Sequence, residues 1–168
     1  MGVFDFVKEA GRKILGTDDE PQPKAAPSAP GRTTADVHEA RNRRLGGEIV
    51  RFVEGLGLDV EDLSVRVDGD TAHVKGKVAS QDEREKVILA AGNVRGIARV
   101  DDKVAVTGGG GGESTMYTVK SGDTLSKIAR QHYGDANAYH RIFEANRPLL
   151  EDPDEIYPGQ VLRIPPKG

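Results

Sequence analysis

The histidines of this sequence do not form a recognisable zinc-binding set. Cysteine is absent, which excludes disulfides, thiolate nucleophiles and thiolate metal ligands. The four histidines are His38, His73, His132 and His140. His132 and His140 are close in sequence but fall on different predicted helices. We therefore interpret the histidines as surface or capping residues rather than as metal ligands.

The carboxylates do not indicate a catalytic or calcium site. Asp59, Asp68 and Asp70 surround a predicted turn, but they lack the twelve-residue loop and the final bidentate glutamate of a calcium-binding hand. Asp101 and Asp102 are adjacent on a predicted strand. This pattern is more typical of a charged strand edge than of two acids in contrasting environments. We therefore predict that the protein is not an enzyme.

The composition indicates small modules joined by flexible segments. Only 36% of the 168 residues are hydrophobic and 21 are glycine, which disfavours a single large core. The net charge of −3 and the pI near 5.8 do not suggest a nucleic-acid partner. Prolines and glycines predict five segments. They are an N-terminal amphipathic helix at 1–16, a Pro-rich disordered tether at 17–34, a first domain at 35–107, a Gly-rich linker at 108–115 and a second domain at 116–168.

The first segment shows the apolar spacing of a helix over residues 2–15. The apolar positions are Val3, Phe4, Val7, Ala10 and Ile14. A helix of this length is marginal alone in water, so we expect it to pack on the first domain. A protein partner and a membrane surface are the alternatives, and the mixed charge of the polar face argues against an anionic membrane.

The first domain has the predicted order helix, strand, strand, helix, strand (αββαβ). Its first helix spans 35–55, with Gly46-Gly47 as a point where the helix could break. Ser80 and Glu83 form a capping box for the second helix. The segments Val74-Lys-Gly-Lys-Val and Gly92-Asn-Val-Arg-Gly-Ile-Ala-Arg-Val resemble a BON domain, which implies an α+β fold.

The second domain has the predicted order strand, helix, helix, strand (βααβ). The motifs Tyr117-Thr-Val-Lys-Ser-Gly-Asp-Thr-Leu-Ser-Lys-Ile-Ala and Ile156-Tyr-Pro-Gly-Gln-Val-Leu-Arg-Ile-Pro closely resemble a LysM domain. Pro158-Gly159 supplies the turn into the last strand. The predicted core consists of Leu125, Ile128, Ala129, Ile142, Phe143, Val161, Leu162 and Ile164.

The N-terminus lacks the pattern of an export signal. Asp5 and Glu9 interrupt its apolar residues, and no segment approaches the ~20 apolar residues of a membrane helix. We therefore expect a cytoplasmic protein. This expectation contrasts with most LysM domains, which meet peptidoglycan or chitin outside the cytoplasm.

The complete arrangement resembles the bacterial cytoplasmic BON–LysM potassium-binding proteins. The resemblance is strongest in residues 1–8, 91–102 and 117–165. It implies selective binding of K⁺, compaction of the modules when the ion binds, and a role as a potassium sensor or buffer. We expect a monomer that binds K⁺ and has neither a nucleic-acid nor a membrane partner.

Helix-end chemistry, combined with this resemblance, suggests where the ion would bind. A site that prefers K⁺ to Mg²⁺ or Ca²⁺ should use many neutral oxygens. The last four carbonyls of a helix lack internal partners and carry partial negative charge. Glycines mark such carbonyls in the N-terminal helix and at the end of the second BON helix. The hypothetical ligands are the backbone carbonyls of Val7, Ala10, Gly92, Val94 and Ile97.

Two other functions stay open. The LysM resemblance implies a groove for peptidoglycan or another N-acetylglucosamine glycan, which the missing export signal disfavours. The groove would be formed by Gly122, Asp123, Thr124 and Leu125 together with Ile156, Tyr157, Pro158 and Gly159. The second of these functions is that of a membrane or protein adaptor that acts through the N-terminal helix.

Overall fold

The computed structural model describes residues 2–6, 34–108 and 112–166 as two docked α+β units. The elements of the first unit are β1 Gly2–Asp5, α1 Thr34–Gly55, β2 Glu61–Asp68, β3 Thr71–Val78, α2 Gln81–Gly92 and β4 Arg99–Val106. Those of the second are β5 Thr115–Thr118, α3 Leu125–Tyr133, a 3₁₀ turn Ala136–Ala138, α4 Tyr139–Ala145 and β6 Val161–Ile164. The predicted α+β class and the order of the elements within each domain are confirmed.

The first unit is a four-stranded sheet covered by α1 and α2. The strand order is β1-β4-β3-β2. Strands β2 and β3 are antiparallel, and β3 and β4 are parallel. A parallel pair needs a crossover connection, and α2 provides it between β3 and β4.

The N-terminal segment begins as a strand, so the prediction of a helix is wrong for residues 2–5. Strand β1 pairs antiparallel with β4, from Gly2 opposite Asp102 to Asp5 opposite Arg99. Phe4 packs against the core while Val3 is 62% exposed, which is the alternation of a strand. Without β1 the outer backbone groups of β4 would be unpaired. The rest of the predicted helix, beyond Phe6, lies outside the described residues. Of the tether predicted at 17–34, only Thr34 is described, and it begins α1.

Helix α1 runs through Gly46 and Gly47 without a break. A Cβ atom at Gly46 would come within 2.7 Å of the Val65 carbonyl oxygen. Glycine therefore allows α1 to approach β2 closely, and this packing offsets the low helix propensity of the residue. Among the described helices, none combines the length and the apolar character that crossing a bilayer requires.

Helix α2 lies between the sheet and the second unit. The predicted cap is present, because the Glu83 amide donates to Ser80 Oγ (3.2 Å). The Glu83 carboxylate accepts in return from the amide of Ala79, one residue before the cap (3.1 Å). Every residue from Val87 to Gly92 is buried. The second half of this helix therefore has no solvent face, and the buried Glu85 needs a partner inside the protein.

The second unit is a two-stranded sheet with α3 and α4 on one face. Thr124 begins α3 as its N-cap, and Gly134 ends it with a left-handed φ of 77°. Strand β6 divides its side chains between two cores. Leu162 and Ile164 lie in the core of the second unit, whereas Val161 lies in that of the first. The prediction that Val161 belongs to the second core is therefore wrong.

Arg163 joins the two units through a buried ion pair. Its side chain and that of Glu85 are 3% and 2% exposed, and Arg163 Nε donates to Glu85 Oε2 over 2.8 Å. The guanidinium also donates to Asp82 Oδ1, Ser114 Oγ and the Ala145 carbonyl. Glu85 Oε1 accepts from the Ser114 amide at 2.9 Å. The charges are paired where water is excluded, so removal of either one would leave the other without compensation.

We expect Arg163→Ala to lower the free energy of unfolding by about 3–5 kcal/mol, because it strands the Glu85 carboxylate. The double variant Arg163→Met with Glu85→Gln should be milder. Arg51→Ala is the control, because its contact with Glu48 is largely exposed and is worth about 1 kcal/mol or less. Urea unfolding measures all three. A loss for Arg163→Ala no larger than that of the control would contradict a stabilising interdomain pair.

Candidate functional site

The end of α2 and the loop that follows it have a fixed backbone geometry. The Asn93 amide caps the helix by donating to the Leu89 carbonyl (2.9 Å), and the Ile97 amide donates to the Val94 carbonyl (3.1 Å). Gly96 has a φ of +100°, which few other residues adopt. The side chains of Val94 and Ile97 are 1% and 0% exposed. The loop is therefore anchored to the core by its side chains.

This geometry directs carbonyl oxygens away from the helix. In a trans peptide the C=O and the next N–H point in opposite directions. Since the Asn93 amide points back to Leu89, the Gly92 carbonyl points out of the helix end. No amide of the described residues donates to the Ala90 or Gly92 oxygen. The Val94 oxygen accepts from the Ile97 amide, and a carbonyl oxygen has two lone pairs.

The N-terminal segment reaches the same loop. The Phe6 amide donates to the Ala98 carbonyl over 2.8 Å, which extends the pairing of β1 along β4. The Phe6 ring is 9% exposed and lies directly on Gly92, where a Cβ atom would come within 2.1 Å of it. The segment therefore ends its described part at the loop that carries Gly92, Val94 and Ile97.

Val7 and Ala10, the other two predicted ligands, lie outside the described residues. The structure places the other three predicted residues, Gly92, Val94 and Ile97, in one loop beside Phe6. The assignment of all five carbonyls as ligands stays a prediction.

The second unit also contacts this loop. Asn93 Nδ2 donates to the Val161 carbonyl at 2.8 Å, and the Val161 amide donates to Asn93 Oδ1 at 2.9 Å. No local pattern in the sequence indicated a role for Asn93, Arg163 or Glu85. An arginine within the apolar run Val161–Ile164 was a visible signal of a buried ion pair, but nothing local identified its partner.

Carboxylates are not gathered at this loop. Within the described ranges, no group of three or more histidine or acidic side chains is arranged to hold a metal ion. Carbonyl oxygens are therefore the ligands that the described part of the loop offers a cation.

The paired aspartates of β4 are structural residues, and the interpretation of a strand edge is wrong. Strand β4 lies between β1 and β3. Asp102 is fully buried and accepts from Arg84 Nε at 2.8 Å. Asp101 is 2.9 Å from His73 Nδ1, and this hydrogen bond lowers the pKa of Asp101. Each aspartate thus has its own basic partner.

The two loops of the alternative glycan groove use several of their polar groups internally. Asp123 Oδ2 accepts from Tyr117 Oη at 2.7 Å and from the Lys120 amide at 2.9 Å. Lys127 Nζ donates to the Gly122 carbonyl at 3.0 Å, and the Gly159 amide donates to the Val119 carbonyl at 2.8 Å.

The remaining predicted groove residues have mixed roles. Thr124 caps α3, Leu125 is buried in the core, and the Tyr157 amide donates to Gln160 Oε1. Ile156 packs against that core, and Gly159 has a positive φ of 89° at the turn after Pro158. These loops are therefore shaped largely by contacts within the second unit.

The fold and its two docked units define a BON–LysM protein. The BON domain family model matches residues 48–108, and the LysM domain model matches residues 117–165. Potassium binding protein Kbp of Escherichia coli O6:H1 is 41% identical over 166 residues, which cover 98% of this chain and 99% of that protein. The chain therefore belongs to the BON–LysM family of Kbp.

Two more distant relatives share most of this chain. An uncharacterized protein of Deinococcus radiodurans is 34% identical over 77% of this chain and 55% of its own length. An esterase of Mycobacterium tuberculosis is 30% identical over 82% of this chain, but the match covers 26% of the esterase.

We expect Gly92→Ala to lower the free energy of unfolding by about 1–3 kcal/mol, because the new methyl group collides with the buried Phe6 ring. Gly47→Ala is the matched control, since a Cβ atom there meets nothing within 4 Å. The control should stabilise by about 0.5–1 kcal/mol through helix propensity. Urea unfolding of both variants is the measurement, and equal effects would disprove the contact.

We also expect the second unit to lose stability at high pH. The hydrogen bond to Asp123, followed by burial, raises the pKa of Tyr117 to about 12, against about 10 in the unfolded chain. The bond therefore contributes fully below pH 10 and is lost as the pH rises to about 12.

Tyrosinate absorbance and urea unfolding across that pH window test this expectation. Tyr117→Phe should reduce the late tyrosine titration without abolishing it, because burial also raises the pKa of Tyr133, and it should flatten the fall in stability. Tyr139→Phe, which removes a hydroxyl from α4, is the control. An unchanged titration in Tyr117→Phe would contradict the assignment.

Proposed function

We propose that this protein is a non-enzymatic, cytoplasmic potassium-binding protein that senses or buffers K⁺. The observation that carries the proposal is the meeting of the N-terminal segment with the end of α2, in a chain related over its whole length to a protein named for potassium binding. The ligands are backbone carbonyls from both segments, those of Gly92, Val94 and Ile97 together with those of Val7 and Ala10.

The chemistry of the helix end suits a large monovalent cation. The last carbonyls of α2 have no partners within the helix, and the helix dipole adds partial negative charge there. Neutral carbonyl oxygens replace the hydration shell of K⁺ in known selective sites, whereas Mg²⁺ and Ca²⁺ favour carboxylates. A loop with carbonyls and no carboxylate cluster therefore favours K⁺.

Ion binding would hold the N-terminal segment on the first unit. Its described contact consists of the four residues of β1 and the ring of Phe6. A cation bound by carbonyls from both sides adds its binding free energy to that contact, because it binds only the docked arrangement. Binding thereby compacts the chain, which is the response that a sensor needs.

Glycan binding by the LysM unit is the second candidate, favoured by the family match over residues 117–165. It would use the loops 122–125 and 156–159, with Tyr157 facing a sugar ring. Sedimentation with insoluble peptidoglycan tests it directly. A fraction of pelleted protein equal to that with an inert polysaccharide would exclude it.

We expect a saturable change in tyrosine fluorescence and a smaller radius of gyration when the full chain is titrated with KCl. NaCl at equal ionic strength and MgCl₂ should have much weaker effects, because the carbonyl site is selective. Small-angle scattering reports the compaction. A response to Na⁺ as strong as that to K⁺ would refute the proposal.

The pair Gly92→Ala and Gly47→Ala tests the location of the ion. Gly92→Ala displaces Phe6 and with it the origin of the N-terminal ligands, so its K⁺ affinity should fall at least about tenfold, or about 1.4 kcal/mol. Gly47→Ala should keep the affinity of the original chain. Unchanged affinity in both variants would place the ion elsewhere.

A further inference from the structure

Asn93 connects the second unit to Gly92, whose carbonyl is a proposed potassium ligand. Its side-chain amide pairs with both backbone groups of Val161, donating to the carbonyl at 2.8 Å and accepting from the amide at 2.9 Å. The two residues are 68 positions apart in sequence. The side-chain amide of Asn93 thus makes the pair of hydrogen bonds to β6 that the backbone of a neighbouring strand would otherwise make.

The backbone of the same residue orients a proposed ligand. The Gly92–Asn93 peptide carries the Gly92 carbonyl at one end and the Asn93 amide at the other. Because that amide donates to Leu89 at 2.9 Å, the plane of this peptide and the direction of the Gly92 carbonyl are fixed together. The plane ends at the Asn93 Cα atom, so a shift of that atom would tilt the Gly92 carbonyl.

Val161 is a firm anchor for this side chain. It is 3% exposed and lies in the core of the first unit. Two residues further along β6, Arg163 is paired with Glu85 on the same helix α2. Strand β6 is thus held against α2 at two points. Arg163 binds Glu85 in the first half of the helix, and Val161 binds Asn93 at its C-terminal end, next to the loop.

We infer that Asn93 is a positioning residue that couples docking of the LysM unit to the geometry of the potassium site. The inference rests on the proposed function. When β6 is docked, the two bonds to Val161 hold the Asn93 side chain, and with it the Cα atom at which the peptide of the Gly92 carbonyl ends. By linkage, K⁺ must favour docking by the same factor by which docking raises the affinity for K⁺.

Asn93→Ala in the full chain tests the coupling. Losing both bonds to Val161 should lower K⁺ affinity about tenfold. It should also lower the ratio of K⁺ to Na⁺ affinity, since a cage with a loose carbonyl adapts to a smaller ion. Asn93→Ser serves as the second variant if the alanine variant does not fold by circular dichroism.

Asp82→Ala is the matched control. Asp82 accepts from Arg163 at the first turn of α2 and is 57% exposed, so its removal weakens docking without touching the loop. The Asp82→Ala variant should lose K⁺ affinity only in proportion to the separation of the two units that small-angle scattering measures. It should leave the ratio of K⁺ to Na⁺ affinity unchanged.

The outcomes separate this inference from the proposed function. If the original chain binds no K⁺, the proposed function fails and this inference fails with it. If the original chain binds K⁺ and the Asn93 variants keep its affinity and ratio, only the coupling is overturned. Equal losses in the Asn93 and Asp82 variants with an unchanged ratio would also overturn it, because Asn93 would then be a docking contact alone.

Discussion

The burial of α2 between two units is the constraint on which the rest of the structure depends. One side of the helix covers the four-stranded sheet, and β6 of the second unit lies against another. A carboxylate in such a position requires a compensating charge because water is excluded. Glu85 receives it from Arg163, whose donors also satisfy groups from three other positions. This pair helps to fix the relative placement of the two units, together with the Asn93–Val161 bonds and the burial of Val161 in the first core.

Strand alternation explains how a strand of four residues can serve two cores. Successive side chains of β6 point to opposite faces, so Leu162 and Ile164 stabilise the LysM unit while Val161 and Arg163 face the BON unit. The end of α2 is consequently enclosed from two directions. The Phe6 ring packs on Gly92 from one side, and Val161 is hydrogen-bonded to the Asn93 side chain on the other.

Much of the fold was predictable from local signals, but only part of the candidate site was. The cap at Ser80 and the turn at Pro158-Gly159 marked the limits of elements because their hydrogen bonds and backbone angles involve only a few residues. Gly92, Val94 and Ile97 could be grouped from the sequence because one loop contains them, and their role as ligands stays a prediction. Residues 2–5 were assigned wrongly to a helix, because a segment this short fits the helical and the strand period equally well. The unpaired outer edge of β4 favours the strand.

The sequence by itself determined the two modules, the order of their elements and their family. Periodicity, capping and turn chemistry involve only a few neighbouring residues, so they can be recognised in short stretches of sequence. Only the tertiary structure decided that Phe6 lies on Gly92, that Val161 leaves its own core, and that Arg163 meets Glu85 from 78 positions away. Those contacts arise from burial and from the pairing of desolvated groups. Such requirements link distant segments and leave no spacing pattern in the chain.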